Sequence, residues 1–411
     1  MANYTPGDLQ VSKLIVMSER GILDLTTSFV AMSIYESIFT PGMVADIVVL
    51  DTQDQLGTLK IQGDEMVTFT CAIPGGTKSS FVFALYTLTD VKAAGAQKSK
   101  MYTIQCVSQE AMFAKTHYIQ KSYTDTCANI VKDIHTNSIF LNSQKPLTVE
   151  DTLGPQTITV PHKSPYQAIN LVKKRAVSAN TQSSSYVYFE SRNNGKQQFN
   201  FVTVESLFKG NAVKKFQQSD AINTNILAQQ DNNILAYTVP KQLSSIDLID
   251  LAGPRRTTVF NFTTQQFTSN VAQTSTTKFN TAGISSAKSI STSFMNTYFD
   301  TQNPRFTLSP MSYSQVPDSN IPGSLADKQA YIALLLQNAI KIRVPGDIVL
   351  TAGSMINCLI PNKQGLTGSV KMDPLLSGNF LITRIHHRIG QVIEKPRYTC
   401  IIEGIKGTYN S

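Results

Sequence analysis

The segment from Pro74 to Ser79 (PGGTKS) is the part of the chain that comes nearest to a nucleotide-binding motif. A phosphate-binding loop requires the pattern GxxxxGK followed by Ser or Thr, placed between a strand and a helix. Here Thr77 separates Gly76 from Lys78, the first Gly of the pattern is missing, and a strand-like segment follows. We therefore predict a hairpin turn at this position and no phosphate site.

His386 and His387 are the only adjacent histidines, and imidazole is a common metal ligand. Neighbouring residues of a strand point to opposite faces, so the two rings cannot easily bind one metal ion. We predict one half-buried and one exposed histidine at this position and no metal site. The other three, His117, His135 and His162, lie in separate segments without a Cys or carboxylate at ligand spacing.

The sequence offers no clear nucleophile or acid–base pair. It contains neither the nucleophile-elbow pattern GxSxG nor a CxxC pair, and the odd number of cysteines argues against a disulfide framework. Cys71, Cys106 and Cys400 lie in apolar, strand-like patterns, where a free thiol packs as a small hydrophobe. No two of the 28 acidic residues stand out as the carboxylate pair that glycoside hydrolysis needs. We predict a protein that is not an enzyme, with no catalytic residue and no cofactor or metal site.

The segment from Ile340 to Val344 has its apolar residues on one strand face and Lys341 and Arg343 on the other. In a barrel that joins copies of itself into a ring, the second face would line a lumen. A positive lumen suits a channel that carries DNA or an acidic protein segment. The alternative interpretation is an ordinary strand face in contact with solvent.

The composition favours β-structure in a chain of 411 residues, which is long enough for about two to four domains. Hydrophobic residues make up 41% and charged residues only 16%, which is too little charge for a long coiled coil. The net charge of +8 is a mild excess without a recognisable nucleic-acid-binding motif. No signal peptide or apolar run long enough to span a membrane is visible. We expect a chain that is made in a reducing cytoplasm and stays soluble until it assembles.

Alternating segments in the first hundred residues predict successive short strands. Met66–Ile73 alternates strictly, and Phe81–Leu88 follows after a Pro-Gly turn. Val30–Ile34, Ile47–Leu50 and Tyr102–Val107 have similar patterns. Several short strands with turns between them indicate an antiparallel sandwich or barrel.

Helix signals follow in the next hundred residues. Thr124 or Asp125 is a candidate N-cap of a helix with one apolar face. That face consists of Cys127, Ile130, Val131 and Ile134. Ser164 and Pro165 predict the N-cap and first residue of a second helix.

The Asn-Gly pair at 194–195 lies between two aromatic-rich runs, 186–190 and 198–204, and predicts a β-hairpin. Residues 263–303 are rich in Ser, Thr, Asn and Gln and cannot bury much surface by themselves. They are either a surface excursion or a segment that partner subunits order. Ser324 then begins a predicted helix over Leu325–Ile340.

The last part of the chain has a distinctive order of elements. The strand 340–344 leads into Pro345-Gly346-Asp347 and an apolar run, 348–360. After a polar loop come the strand-like segments 376–389 and 397–402. This order resembles the closing barrel of baseplate hub proteins of contractile-tailed phages and of the related spike proteins of type VI secretion. The order of cap, helix and hairpin over 164–204 also resembles the domain inserted into the first barrel of phage hubs.

The resemblance implies a mainly β fold with two tail-tube-like β-barrels and an inserted α+β domain. The implied divisions are a first barrel (1–110), the inserted domain (111–205), a return to the first barrel (206–262), a polar segment (263–322), and a helix with the second barrel (323–411).

The resemblance also implies a structural role in an injection machine. Such hubs are trimers in which two barrels per chain form a pseudo-sixfold ring that matches the sixfold tail tube. The implied partners are the tail tube protein, a central spike protein, other baseplate or tape-measure proteins, and DNA in transit. The implied location is the baseplate of the virion tail, assembled in the host cytoplasm. Because the sequence ends at Ser411 without a spike, we expect the spike to be a separate protein or to be attached differently.

Three alternatives remain open at this stage. One is a tail-associated cell-wall hydrolase or depolymerase, which would need a catalytic pair in a cleft. A second is a hexameric distal tail or tail-tube protein, which a single barrel per chain would favour. The third is a receptor- or glycan-binding module, which the absence of Trp makes less attractive although 15 Tyr are present.

Overall fold

The computed structural model describes most of the chain, and the account below is confined to these residues. They are 7–53, 61, 63, 65–74, 76, 78–94, 99–181, 183–218, 231–240, 255–261, 266–272, 305–308, 339–362, 372–373, 376–392 and 395–406.

Strands dominate this part of the chain. The strands before the second helix are β1 (Gln10–Ser18), β2 (Gly21–Asp24), β3 (Phe29–Ser37), β4 (Val44–Asp51), β5 (Met66–Ala72), β6 (Lys78–Ala94), β7 (Ser99–Val107) and β8 (Ile119–Thr126). The later strands are β9 (Leu147–Val149), β10 (Pro155–Lys163), β11 (Tyr186–Asn193), β12 (Lys196–Thr203), β13 (Ala212–Gln217), β14 (Ala236–Thr238), β15 (Arg255–Asn261), β16 (Gln266–Ala272), β17 (Arg305–Leu308), β18 (Ala339–Pro345), β19 (Met355–Leu359), β20 (Gly378–Val392) and β21 (Lys395–Lys406). The helices are α1 (Gln109–Thr116), α2 (Cys127–Thr136), α3 (Pro165–Lys173) and α4 (Val204–Phe208).

One sheet of thirteen strands joins the two ends of the sequence. Its order is β14-β18-β21-β20-β3-β4-β7-β6-β5-β1-β2, with β19 attached to β20 and β13 to β19. Strand β3 pairs antiparallel with β20, with Tyr35 opposite His386, so the sheet crosses between the N-terminal and C-terminal segments at that pair. The prediction of a mainly β fold is confirmed. The predicted domain bounds stay a prediction, and the strands of both predicted barrels belong to this one sheet.

Alternation of apolar residues gives the sheet its buried face. Val67, Phe69 and Cys71 of β5 are fully buried, whereas the residues between them are half-buried. The same period in β3, β4, β7 and β18 contributes to one hydrophobic core that both ends of the sequence share. A second core lies in the region between β7 and β13 and is built around α2, α3 and the β11–β12 hairpin.

The inserted region begins its helices largely as predicted. Ser164 caps α3 with a complete capping box, and Pro165 is the first helical residue. The predicted cap of α2 at Thr124 or Asp125 was wrong, because β8 stays paired with β10 up to Thr126. Thr126 is the N-cap, and its side chain accepts a hydrogen bond from the backbone N–H of Asn129.

Two turns have the conformations that their residues favour. Asn194 and Gly195 connect β11 to β12 with positive φ angles of 50° and 76°, as a two-residue type I′ turn requires. The nucleotide-loop-like segment is a turn between the paired strands β5 and β6, in which Gly76 N–H donates to the Ile73 carbonyl at 2.8 Å. The hairpin predictions for both segments are confirmed.

Two predictions fall mainly outside the described residues. The helix over Leu325–Ile340 is one of them, and its last two residues are not helical because they begin β18, where Ile340 pairs with Gly404. The polar segment 263–303 is the other. The described part of this segment is β16, which pairs with β15, and β15 also pairs with β17 in a three-stranded sheet.

Candidate functional surface

Strand β18 alternates as its sequence predicts. Ile340, Ile342 and Val344 are at most 1% exposed and face the core, whereas Lys341 and Arg343 are exposed on the outer face of the sheet. Strand β21 lies on one side of β18, and the short edge strand β14 lies on the other. The position of the two cations on an outward face is therefore clear. That this face lines a lumen stays a prediction.

The strand register adds two further cations to this face. Arg384 and Arg388 of β20 are exposed and have the same strand parity as the outward residues of β21. Glu403 of β21 lies between β18 and β20, and accepts from Lys341 at 3.3 Å and from Arg384 at 3.2 Å. We call Lys341, Arg343, Arg384, Arg388 and Glu403 the basic strip. Arg343 and Arg388 have no ion pair within the described residues.

The basic strip ends where the sheet passes from β20 to β3. On β4 and β7 the neighbouring outward positions are Val44, Val48, Thr103 and Gln105, together with the carboxylate of Asp46. Burial raises the pKa of Asp46 above its ordinary value. The positive charge is therefore a property of the C-terminal part of this face.

A cavity of about 310 Å³ opens on the outer face at the β3–β20 pair. The rings of Tyr35 and His386 stack there with centroids 4.3 Å apart. Burial is the main influence that lowers the pKa of His386 to about 4, and Arg388 adds to it. His386 is therefore neutral at physiological pH.

The burial of the histidine pair differs from the prediction of one half-buried and one exposed ring. His386 is half-buried, but His387 is completely buried. His387 has the parity of Ile385 and Ile389, which face the core, so its ring enters the interior of the protein. Among the described residues, no group of three or more His, Cys, Asp or Glu side chains is arranged to hold a metal ion.

His387 belongs to a buried ion cluster directly beneath the β3–β20 pair, which we call the Arg192 cluster (Glu36, Arg192 and His387). The Arg192 guanidinium lies 2.9 Å from Glu36 and 3.0 Å from the His387 Nε2 atom. It also donates at 2.7 Å to the backbone carbonyls of Ile348 and Leu350. One side chain from β11 thus connects β3, β20 and the loop between β18 and β19.

Hydrogen bonds saturate the carboxylate of this cluster. Glu36 accepts from the Thr351 hydroxyl at 2.6 Å and from the Ala352 N–H at 3.0 Å. Burial alone would raise the pKa of Glu36, but the charge of Arg192 and the hydrogen bonds from His387 and Thr351 lower it to about 2. Glu36 is therefore ionised and balances Arg192.

Cys400 and Tyr398 complete the surroundings of His387. Its Nδ1 atom lies 2.6 Å from the Tyr398 hydroxyl and 3.3 Å from the Cys400 sulfur. A thiol, an imidazole and a carboxylate in contact are the parts of a cysteine nucleophile. Here Cys400 and His387 are 0% exposed and Glu36 is 2% exposed, so the thiol has no access to solvent. Gly346 packs flat against the Tyr398 ring, where a Cβ atom would overlap it.

A second ion cluster lies two residues earlier on β11, and we call it the Lys145 cluster (Glu110, Lys145 and Glu190). The Lys145 ammonium lies 2.8 Å from Glu110 and 2.6 Å from Glu190. Ser143 donates to Glu110 at 2.6 Å, and Gln197 donates to Glu190 at 2.9 Å. Ser108 also donates to Glu190.

The Lys145 cluster holds two carboxylates for one ammonium. Burial is the main cause that raises the pKa of Glu190, and Lys145 offsets only part of it. Burial lowers the pKa of Lys145, but Glu190 and Glu110 outweigh it and raise that pKa. The Glu190 carboxylate also accepts the backbone N–H of Met43 at 3.1 Å, which connects the inserted region to the loop between β3 and β4.

Sequence reasoning found Lys341 and Arg343 but missed the other members of the basic strip and both buried clusters. A signal for the clusters was present in two strands. Glu36 has the parity of the buried Met32 and Ile34, and Glu190 and Arg192 interrupt an aromatic-rich strand. A charged residue at a core-facing position of a strand indicates a buried partner, although it does not say which.

Comparisons with known proteins show what the chain is similar to. No protein-family model and no curated protein sequence matches it. The tail protein from Neisseria meningitidis MC58 aligns over 96% of both chains with a TM-score of 0.57 and 10% identity. The 43 kDa tail protein of prophage MuSo2 from Shewanella oneidensis aligns over 96% of this chain and 98% of its own, with a TM-score of 0.53 and 10% identity.

A chain of a Francisella PdpA–VgrG complex has a similar fold with a TM-score of 0.52 and 10% identity. The alignment covers 98% of this chain but only 53% of the Francisella chain. The resemblance to phage hub proteins and related spike proteins that the sequence predicts is therefore confirmed at the level of the fold. No described helix is long and apolar enough to cross a membrane.

Proposed function

We propose that the chain is a structural component of a phage-type tail, a baseplate hub that acts as a homotrimer. Three chains would form a pseudo-sixfold ring that adapts the sixfold tail tube to a trimeric central spike. The role is mechanical and requires no covalent chemistry. The observation that carries the proposal is the single sheet that runs through both ends of the sequence, in the fold of tail proteins that align over nearly the whole chain.

The edges of this sheet support assembly. Strand β2 has four residues and β14 has three, and they lie at the two ends of the strand order. Such edges leave backbone groups that a neighbouring subunit can pair or cover. Ile22 on β2 is 70% exposed, so a neighbouring subunit that pairs with this edge would bury its side chain.

The basic strip supports a channel role. Lys341 and Arg343 face outward together with Arg384 and Arg388, on a sheet whose other face is the protein core. In the proposed ring this face lines the channel through which DNA or tape-measure protein passes. The proposed location is the baseplate of the virion tail, and the proposed partners are the tail tube, the spike and other baseplate proteins.

The test is the mass and rotational symmetry of the purified chain, by light scattering and by class averages of negatively stained particles. A trimer with six lobes around a central hole is expected. A hexamer would favour a distal tail or tail-tube protein, and a monomer that persists with tail partners present would overturn the hub proposal.

A pair of variants tests the contribution of the sheet edge. Ile22→Lys places a charge on β2 and is expected to shift the trimer towards monomer. Val349→Lys is the matched control, because Val349 is similarly exposed, at 60%, but lies in the loop after β18. A trimer that survives Ile22→Lys unchanged would contradict pairing through β2 and leave the trimer itself intact.

A further inference from the structure

The cavity at the β3–β20 pair has the features of a binding site for one side chain of another protein. Its volume of about 310 Å³ suits a large side chain, and its walls include Tyr35, Val44 and Ile401. The cations Lys341 and Arg384 also line it. These residues come from β3, β4, β18, β20 and β21.

Three large apolar side chains are partly exposed in and beside this cavity. Tyr35 is 40%, Phe39 is 37% and Val44 is 38% exposed. Single exposed apolar residues are common on protein surfaces, but a group of them beside a cavity marks an interaction site. The Arg384 guanidinium lies over the Phe39 ring, 5.9 Å from its centre, in a cation–π contact.

The charge around the cavity indicates the kind of partner. Lys341, Arg384 and Glu403 of the basic strip line the cavity itself, together with Glu36, whose charge is balanced by the buried Arg192. The two further cations of the strip, Arg343 and Arg388, lie outside the cavity lining on the same face. Glu403 lies between Lys341 and Arg384 and pairs with both, so the positive charge beside the cavity is interrupted. A nucleic-acid strand favours an unbroken positive track, whereas a peptide with a few acidic residues fits a mixed rim.

We propose that this cavity binds an apolar or aromatic side chain of an extended protein segment whose neighbouring acidic residues contact the cations of the basic strip. A buried anchor in a pocket with a polar rim is the usual arrangement of a strong binding position. This proposal goes beyond the hub function, because it assigns a side-chain-binding position to one place on the sheet, and its binding test does not use the ring.

The experiment is a binding titration followed by fluorescence anisotropy. The probe is a short fluorescein-labelled peptide with a central Phe between Asp and Glu residues. Binding by the full chain is expected, and replacement of the Phe by Ala or of the acidic residues by Lys is expected to weaken it by about tenfold or more. A labelled single-stranded oligonucleotide is titrated in parallel. Binding of the oligonucleotide but not of the peptide would overturn the proposal in favour of nucleic acid.

Variants of the chain locate the site. Tyr35→Ala removes a cavity wall and Arg384→Glu reverses a rim charge, and each is expected to weaken peptide binding by about tenfold. Lys92→Glu is the matched control, since Lys92 is an exposed cation on β6 outside the cavity, and it is expected to leave binding unchanged. Circular dichroism confirms that each variant is folded. Equal binding by the wild type, Tyr35→Ala and Arg384→Glu would place the peptide elsewhere and overturn the proposal.

Discussion

The Arg192 and Lys145 clusters lie side by side on β11 but balance their charges differently. In the Arg192 cluster one carboxylate faces one guanidinium, and both are almost completely buried. In the Lys145 cluster two carboxylates share one ammonium, whose side chain is 16% exposed. The Glu36–Arg192 pair of the first cluster is therefore ionised, whereas the raised pKa of Glu190 lets the second cluster take up a proton more readily.

This difference gives each cluster its own part in holding the inserted region. Arg192 reaches the pair of strands where the N-terminal and C-terminal parts of the sheet meet. Glu190 reaches the loop before β4 through Met43 and Ser108. Two alternate residues of one strand thus attach the inserted region at two points, and each point combines ion pairs with hydrogen bonds.

The largest expected effect comes from Arg192→Met, which keeps the apolar stem but leaves Glu36 buried without its counter-ion. Loss of one partner of a buried ion pair costs about 3–5 kcal/mol. The free energy of unfolding, measured by urea denaturation, is expected to fall by that amount. The double variant Glu36→Gln/Arg192→Met removes both charges and is expected to recover part of the loss. If the free energy of unfolding of the single variant fell by less than about 1 kcal/mol, the cluster would contribute little to stability.

Lowering the pH is expected to change the contributions of Glu36 and Glu190 to stability in opposite directions. The pKa of Glu36 is lowered from 4.5 to about 2, so its contribution is present above pH 4.5 and is lost as the pH falls towards 2. That shift corresponds to a contribution of about 3 kcal/mol to the free energy of unfolding. The pKa of Glu190 is raised, so its contribution is present below the unfolded value and is lost as the pH rises through the folded value.

Urea unfolding at a series of pH values separates these two contributions. The difference in stability between the wild type and Glu36→Gln is expected to narrow by about 3 kcal/mol as the pH approaches 2. The free energy of unfolding of Glu190→Gln is expected to increase relative to that of the wild type as the pH rises. Parallel curves for the wild type and Glu36→Gln would contradict the assignment of a lowered pKa to Glu36.

A smaller effect is expected from Lys145→Met. It leaves Glu110 and Glu190 without their cation, but a proton can neutralise Glu190, so a loss of about 2 kcal/mol is expected at neutral pH. The loss should decrease in mild acid. The control is Lys121→Met, which breaks the exposed pair with Asp133 and should cost less than about 1 kcal/mol. A loss that grows as the pH falls would refute the idea that Glu190 takes up the proton.

Much of the fold was predictable because local signals agreed with the tertiary structure. The capping box at Ser164, the Asn194–Gly195 turn and the alternation in β5 each specify one local conformation. The sequence also indicates which residues of β18 face outward. These features depend on residues that are close together in the sequence, so they can be predicted from the sequence alone.

The clusters and the basic strip were not predictable in the same way because their members are far apart in sequence. Glu36 meets Arg192 only because β3 pairs with β20 and the inserted hairpin packs over that pair. Arg384 joins Lys341 only through the register of β20 on β21 and of β21 on β18. Alternation assigns a residue to a face, but strand order decides which residues on that face are neighbours.

The smallest expected effect on stability comes from Lys341→Ala on the basic strip. The pair of Lys341 with Glu403 has side chains 47% and 34% exposed, and pairs exposed to this extent contribute less than about 1 kcal/mol. The free energy of unfolding of Lys341→Ala, measured by urea denaturation, is therefore expected to equal that of the wild type, whereas that of Lys145→Met is expected to be lower. A cation that adds little stability at such a position is free to serve an external partner, and its loss should appear in peptide binding or in the assembled ring. If Lys341→Ala destabilised the chain as much as Lys145→Met, the ion pair of Lys341 with Glu403 would have a structural role. That result would contradict the interpretation of the basic strip as a binding surface.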